Sequence, residues 1–168
     1  MNTTISRFAA VAVVALSGAA FSNAAQAADA TGNASATIAT PIAITEGTAL
    51  AFGTILAGAS SSTIVVDTSG GRTVGSGDAS LLGGTVSAAS FDVTGEGSST
   101  YSVSFSSGDT LTDGSNTMSL GTYTTSNSGS GTLSGGTDSF EVGATLTVGA
   151  SQAAGSYTGT YTVTVNYN

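Results

Sequence analysis

The stretch Ser156–Asn168, SYTGTYTVTVNYN, decides the fold. Tyr157, Gly159, Tyr161, Val163, Val165 and Tyr167 fall on one face of an extended chain. Ser156, Thr158, Thr160, Thr162, Thr164, Asn166 and Asn168 fall on the other. A period of two is the mark of a strand with one buried face. The alternation predicts one long half-buried strand, Tyr157–Tyr167. Just before it, Phe140, Val142, Ala144, Leu146 and Val148 alternate with Glu141, Gly143, Thr145 and Thr147. This predicts a second strand, and the intervening GASQAAG (149–155) suits a hairpin connection.

The same signal recurs further back. Tyr101, Val103 and Phe105 predict a third strand, and Phe91 with Val93 a fourth. Val86 and Ala88 have the opposite parity to Phe91, so a bulge or a bend between sheets is expected at Ala88-Ala89. Leu50, Phe52 and Leu56 mark a strand near 48–57. Ile64, Val65 and Val66 are contiguous, which suits burial on both faces. Met118, Leu120 and Tyr123 mark a weaker strand. SNSGSGTLSGG (126–136) is poor in apolar residues and reads as a flexible hairpin loop. No segment after residue 27 shows helical spacing, and no repeat of fixed period exists. Short alternating runs separated by Gly, Ser, Asn and Asp are the sequence form of an all-β sandwich or barrel.

The beginning of the chain is different. Arg7 is the lone positive charge of MNTTISRF, residues 9–21 are uncharged and mostly apolar, and Ala25-Gln26-Ala27 has the small-x-small pattern of a cleavage site. These features predict a secretory signal over 1–27. The apolar run is too short for a membrane span of about 20 residues. Cleavage leaves Ala28–Asn168, with no later segment long and apolar enough to span a membrane. Residues 28–39 then form an arm with Ala34, Ala36 and Ile38 at alternate positions, and Pro41 separates it from a first domain strand near 41–46. Pro suits a strand start or an edge. The expected organisation is a signal (1–27), an extended N-terminal arm (28–39) and a β-sandwich domain (40–168).

Composition narrows the function. The 168-residue chain has no His, no Cys and only two basic residues, Arg7 and Arg72. All ten acidic residues lie after residue 27. A chain with one Arg and ten carboxylates after cleavage lacks the basic footprint of a nucleic-acid binder. Without His, Lys or Cys, the usual general base, Schiff-base amine and thiol nucleophile are missing. No acidic pair stands outside turn-like surroundings, so no enzyme is expected and no cofactor. Charged residues are 7% of the chain, so Ser, Thr, Asn and Gly must carry its solubility.

Several motifs have plain structural explanations. Asp109–Asn116 offers oxygen ligands for calcium, but Asp-Gly and Ser-Asn are ordinary turn dipeptides. Gly70-Gly71 and Gly83-Gly84 precede no helix and have no Lys beside them, unlike a phosphate loop. Asn33-Ala34-Ser35 matches the glycosylation sequon. Tyr157, Tyr161 and Tyr167 suit cross-strand packing better than a sugar-stacking row.

The end of the chain carries a further pattern. Tyr167 is penultimate, Val165, Val163 and Tyr161 precede it in alternation, and Gly155 lies fourteenth from the end. In these features the chain resembles subunits of chaperone–usher pili. The stretches LAFGTILAG, AASFDVTGEGSSTYSVSF and VGATLTVGASQAAGSYTGTYTVTVNY are similar to a family of secreted bacterial proteins catalogued as domain of unknown function 4402, over roughly residues 36–168.

The pilin resemblance implies an immunoglobulin-like sandwich that lacks one strand. A periplasmic chaperone would lend a strand while an outer-membrane usher awaits the subunit, and the next subunit's arm would replace the loan. Tyr157–Tyr167, with Gly155, Tyr161, Val163, Val165 and Tyr167, would be the groove edge. Ala34, Ala36 and Ile38 would be the donor contacts. The localisation implied is the periplasm in transit, then the cell surface. Many pilins carry a disulfide and this chain has no Cys; its small-residue arm promises a shallow fit, and an arm folded back on its own domain as a self-complemented monomer stays open. Two alternatives stand beside this one. The first is a self-complete secreted binding or adhesive module. The second is an eight-stranded outer-membrane barrel, against which stand the missing aromatic girdles and the terminal Asn168.

Overall fold

The computed structural model describes residues 27–168. The expected signal lies outside the described residues except for Ala27. The chain divides at Ala36/Thr37, and the compact body is Thr37–Asn168. In the first unit, residues 27–36 are exposed and carry no secondary structure.

Among the described residues every regular element is a strand. They are β1 (Ala43–Thr48), β2 (Ala51–Phe52), β3 (Ile55–Leu56), β4 (Ser62–Val66), β5 (Arg72–Ser76), β6 (Ser80–Leu81) and β7 (Val86–Ser87). There follow β8 (Ala89–Thr94), β9 (Thr100–Phe105), β10 (Thr110–Thr112), β11 (Thr117–Thr125), β12 (Ser130–Thr132), β13 (Thr137–Val148) and β14 (Val163–Tyr167). All pairings are antiparallel. A seven-stranded sheet runs β1-β8-β13-β11-β10, with β4 and β5 branching from β13. A three-stranded sheet, β12-β9-β14, is separate from it, and β2-β7 and β3-β6 are two short pairs. The fold is all-β and agrees with a β-sandwich. Its sheets are open, with free edges, rather than closed into one ring.

β13 is the spine. Its first half pairs β8, with Phe140 opposite Phe91 and Val142 opposite Ala89. Its second half pairs β4 along the same edge, from Ala144 opposite Val66 to Val148 opposite Ser62. Its other edge takes β11. The apolar alternation of Phe140, Val142, Ala144, Leu146 and Val148 is therefore one continuous buried face, each 3% exposed or less. Two clusters form on it. One gathers Phe91, Val93, Phe140 and Val142 with Tyr101 and Val165 of the smaller sheet and Leu133 just after β12. The other gathers Ile64, Val66, Met118, Leu120 and Leu146, with Phe52 from the short pairs.

Four expectations, two of strands and two of loops, need correction. The long strand Tyr157–Tyr167 is paired as a strand only from Val163. Upstream, Thr158 makes an isolated bridge to Thr112, and Gly159 runs so close to the Thr110 carbonyl that a Cβ would clash with it. The chain crosses there from one sheet to the other. Residues 149–155 are for the same reason no hairpin loop, because β14 pairs β9 and not β13. The strand near 48–57 is two dipeptides broken at Gly53, whose φ of 65° only glycine adopts cheaply. The segment 126–136 is not a flexible loop either. Its residues 130–132 pair β9, and Leu133 is fully buried.

The parity switch at Ala88-Ala89 does mark a change of sheet, since β7 pairs β2 while β8 joins the large sheet. The weaker strand at Met118 is the nine-residue β11. Arg72 holds the short pairs in place. Its guanidinium donates to the carbonyls of Phe52, Leu82 and, at 3.1 Å, Thr54. The sole cation of the expected mature chain is thus spent on backbone.

Candidate functional site

β1 and β14 are both edge strands. β1 pairs β8 only and β14 pairs β9 only, so each leaves one row of backbone groups unpaired among the described residues. These free edges border a cleft. Ile44 and Glu46 of β1 line one side, Tyr161 and Val163 the other, and Leu50 with Phe91 also line it, in a volume of about 270 Å³. Leu50 and Gly159 also line a wider section of about 800 Å³. Phe52, Leu111, Met118 and Leu146 contribute its apolar lining, and the chain from Ser151 to Gly159 contributes its polar rim. The two sections form one groove.

A side chain ties the approach to β1 to the end of β14. The Tyr167 hydroxyl donates to the Thr40 carbonyl at 2.7 Å and accepts the Glu96 amide at 2.6 Å. The Thr40 amide donates to Glu96 Oε2 at 2.9 Å. That backbone bond, reinforced by the Thr40 hydroxyl, holds the Glu96 carboxyl below the ordinary carboxylate range. The strands are thus tied at Thr40 through Tyr167, without any backbone ladder between them.

An aromatic row backs the groove. Phe91 meets Tyr161 edge-on at 6.4 Å, Tyr161 stacks on Tyr123 at 5.2 Å, and Tyr123 stacks on Phe105 at 4.7 Å. The Tyr123 hydroxyl donates to Asp109 Oδ2 at 2.7 Å. The Tyr161 hydroxyl is buried and has no hydrogen-bond partner among the described residues. Burial, followed by the negative charge of Glu46, pushes the Tyr161 phenol up to about 12. Burial, with the Asp138 carboxylate next, pushes Tyr101 up to about 12. Tyr123 is raised further, by burial and then Asp109.

These shifts predict an alkaline transition. A phenol whose folded-state pKa exceeds its unfolded value stabilises fully below the unfolded value near 10 and loses that contribution as pH rises through about 12. The chain has no Lys and no Cys to blur this window. Unfolding followed by circular dichroism should therefore coincide with tyrosinate absorbance between about pH 10 and 12. Ionisation of all five tyrosines near pH 10 in a still-folded domain would contradict the burial of these three rings.

The predicted site residues separate into groups. Tyr161 and Val163 stand on the narrow section of the groove, and Gly155 on the rim of the wide one, where an added Cβ would lie 3.0 Å from Asp113 Oδ2. Tyr167 lines neither section, and its hydroxyl joins Thr40 to Glu96 instead. Val165 lies on the same face but is buried in the core cluster with Phe140, against which Tyr161, Val163 and Tyr167 also pack. Ala34 and Ala36 are exposed and outside any strand, and Ile38 is 96% exposed. Ile44, Leu50 and Phe91 of the groove, and the Thr40–Glu96 tie beside β1, were not legible. Nothing local distinguishes Glu96 from a turn carboxylate.

Of Asp109–Asn116, residues 113–116 form the hairpin turn between β10 and β11, and Asp109 stands just before β10. Asp113 Oδ1 accepts the amides of Ser115 and Asn116 at 2.8 and 2.7 Å. The Asn116 side chain, then these amides, draw the Asp113 carboxyl down to about 2. Both carboxylates are engaged by internal donors, Asp109 by Ser106 and Tyr123. No group of three or more potential metal-ligating side chains gathers among the described residues. No helix among them is long and apolar enough to cross a membrane.

A family model described as Domain of unknown function (DUF4402) matches residues 42–167. No curated protein and no solved structure matches the chain.

Proposed function

We propose, from the premise that the chain belongs to the DUF4402 family, that it is a structural subunit of an exported surface fibre. Its copies join when the arm of one, residues 28–39, adds as a strand to the groove of the next. The groove between β1 and β14 supports this most directly. It has two unpaired strand edges and an apolar floor, and such edges attract a further strand. In strand addition, backbone bonds give affinity and side-chain pockets give register. The arm has the complementary pattern, with Ala34, Ala36 and Ile38 on one face and Ile38 almost fully exposed. Burying Ile38 would supply about 1.5–3 kcal/mol. A head-to-tail contact that does not close into a ring yields a fibre.

In this role the protein is not an enzyme. Its partners are its own copies, with a periplasmic chaperone and an outer-membrane usher before them, and its place is the cell surface, in adhesion or biofilm. The polar rim of the wide section, where Gln152 Nε2 lies 3.0 Å from the Tyr157 hydroxyl, favours a second possibility. That is a self-complete secreted binding module.

The test compares the chain starting at Ala28 with one starting at Thr40. The longer chain should polymerise. The shorter should stay monomeric, bind a synthetic peptide of residues 28–39, and melt at a higher temperature as peptide is added. A stable, monodisperse monomer of the longer chain, with no peptide binding by the shorter, would sink the fibre and leave the binding module.

A further inference from the structure

We infer that the joint between arm and domain is built to prevent the arm from filling its own groove, so that donation goes to a second copy of this chain. This rests on the strand-donation role proposed above. An arm joined to its own domain meets its own groove at an effective concentration in the millimolar range, as short flexible tethers do. Another copy competes only near that concentration. A subunit that polymerises when dilute therefore needs an obstacle to self-insertion.

Two features supply it. To lie beside β1 in its own domain, the arm must reverse direction just before Thr40. Thr40 has both backbone groups occupied elsewhere, its amide by Glu96 and its carbonyl by Tyr167. It also precedes Pro41, which favours extended backbone and disfavours the helical region used in many turns. The reversal is thereby pushed into Thr37-Ile38-Ala39. Tight hairpin turns call for Gly, Asn or Asp at positive φ, and a β-branched residue such as Ile38 is a steric outlier there. The first turn-competent pair upstream is Gly32-Asn33. A reversal at that pair leaves only residues 28–31 beyond it, too few to fill a groove that runs from Val163 past Leu50.

The experiment uses the chain starting at Ala28 and three variants. One carries an Asn-Gly pair inserted between Ala39 and Thr40, which keeps Ile38 in the arm. Another is Tyr167→Phe, which unlocks Thr40. The third combines them. Light scattering after size-exclusion reads the mass, and amide hydrogen exchange reads protection of residues 28–39. The parent should form polymers. Each variant should lose polymer in favour of single chains with a protected arm, and the combination should lose most. If the Tyr167 change unfolds the domain, the insertion alone decides. Variants that polymerise as the parent does would overturn the inference and leave the fibre role standing. A parent that is monomeric with an unprotected arm would overturn the fibre role itself.

Discussion

Truncating Phe140 to Ala is expected to cost about 3–5 kcal/mol of folding stability, the range for a buried aromatic removed from a close-packed core. Phe140 is 1% exposed. It sits directly opposite Phe91 on β8, with ring centroids 5.7 Å apart, and 6.4 Å from Tyr101 on the smaller sheet. Each such aromatic pair contributes about 0.5–1.5 kcal/mol beyond its buried area. The ring thus joins the two sheets as well as filling space between them. Domains are stable by only about 5–15 kcal/mol in total, so the loss reaches a large share of the margin. Urea denaturation of Phe140→Ala and of Phe105→Ala gives the comparison. Phe105 is half-buried and stacks on Tyr123 at the end of the aromatic row, and its truncation should cost less. A Phe140→Ala penalty no larger than the roughly 0.5 kcal/mol of a surface change would contradict the core described.

Strand existence was legible wherever one face is buried along several residues. β13, β9 and β8 announced themselves through a strict period of two, and β4 through its contiguous Ile64-Val65-Val66. Pairing was another matter, because partners lie far apart in sequence. β14 bonds β9, with Tyr167 opposite Tyr101, and no local signal points across that distance. Alternation also overran the true strand. Tyr157, Gly159 and Tyr161 keep the period although the chain there is crossing between sheets, since both environments bury one side of it. Leu133 was hidden for the opposite reason. A single apolar residue among Gly and Ser has no period, yet here it plugs the core beside Tyr101. The groove was half legible. Its wall at β14 and just before it could be read from Val163 and Tyr161, but Leu50, Phe91 and the Glu96–Thr40 tie acquire their roles only from topology.

Replacing Gly143 by Val should destabilise the domain by at least the roughly 1–3 kcal/mol of an overpacked core, although Val is the better strand former. Gly143 lies at the point of β13 where pairing passes from β8, at Val142, to β4, at Ala144. The backbone of β4 turns away there, so close that a Cβ would collide with the Val66 carbonyl and lie 2.9 Å from the Asp67 carbonyl carbon. Backbone on both sides of the contact cannot swing aside as a side chain would. β4 must therefore separate from β13 or the strand must bend, and either change reaches β8, which carries the β1 wall of the groove.

Gly121 is the internal control. It stands on the neighbouring β11, opposite Thr145, and a Cβ there meets nothing within 4 Å. Gly121→Val should be neutral or stabilising, within the ~1 kcal/mol span of strand propensity. Urea midpoints for the two variants should thus move unequally or in opposite directions. In Gly143→Val, amide exchange should quicken first at Ile64–Val66. Equal shifts would mean that the missing side chain at Gly143 reflects strand preference alone and not the close approach of β4.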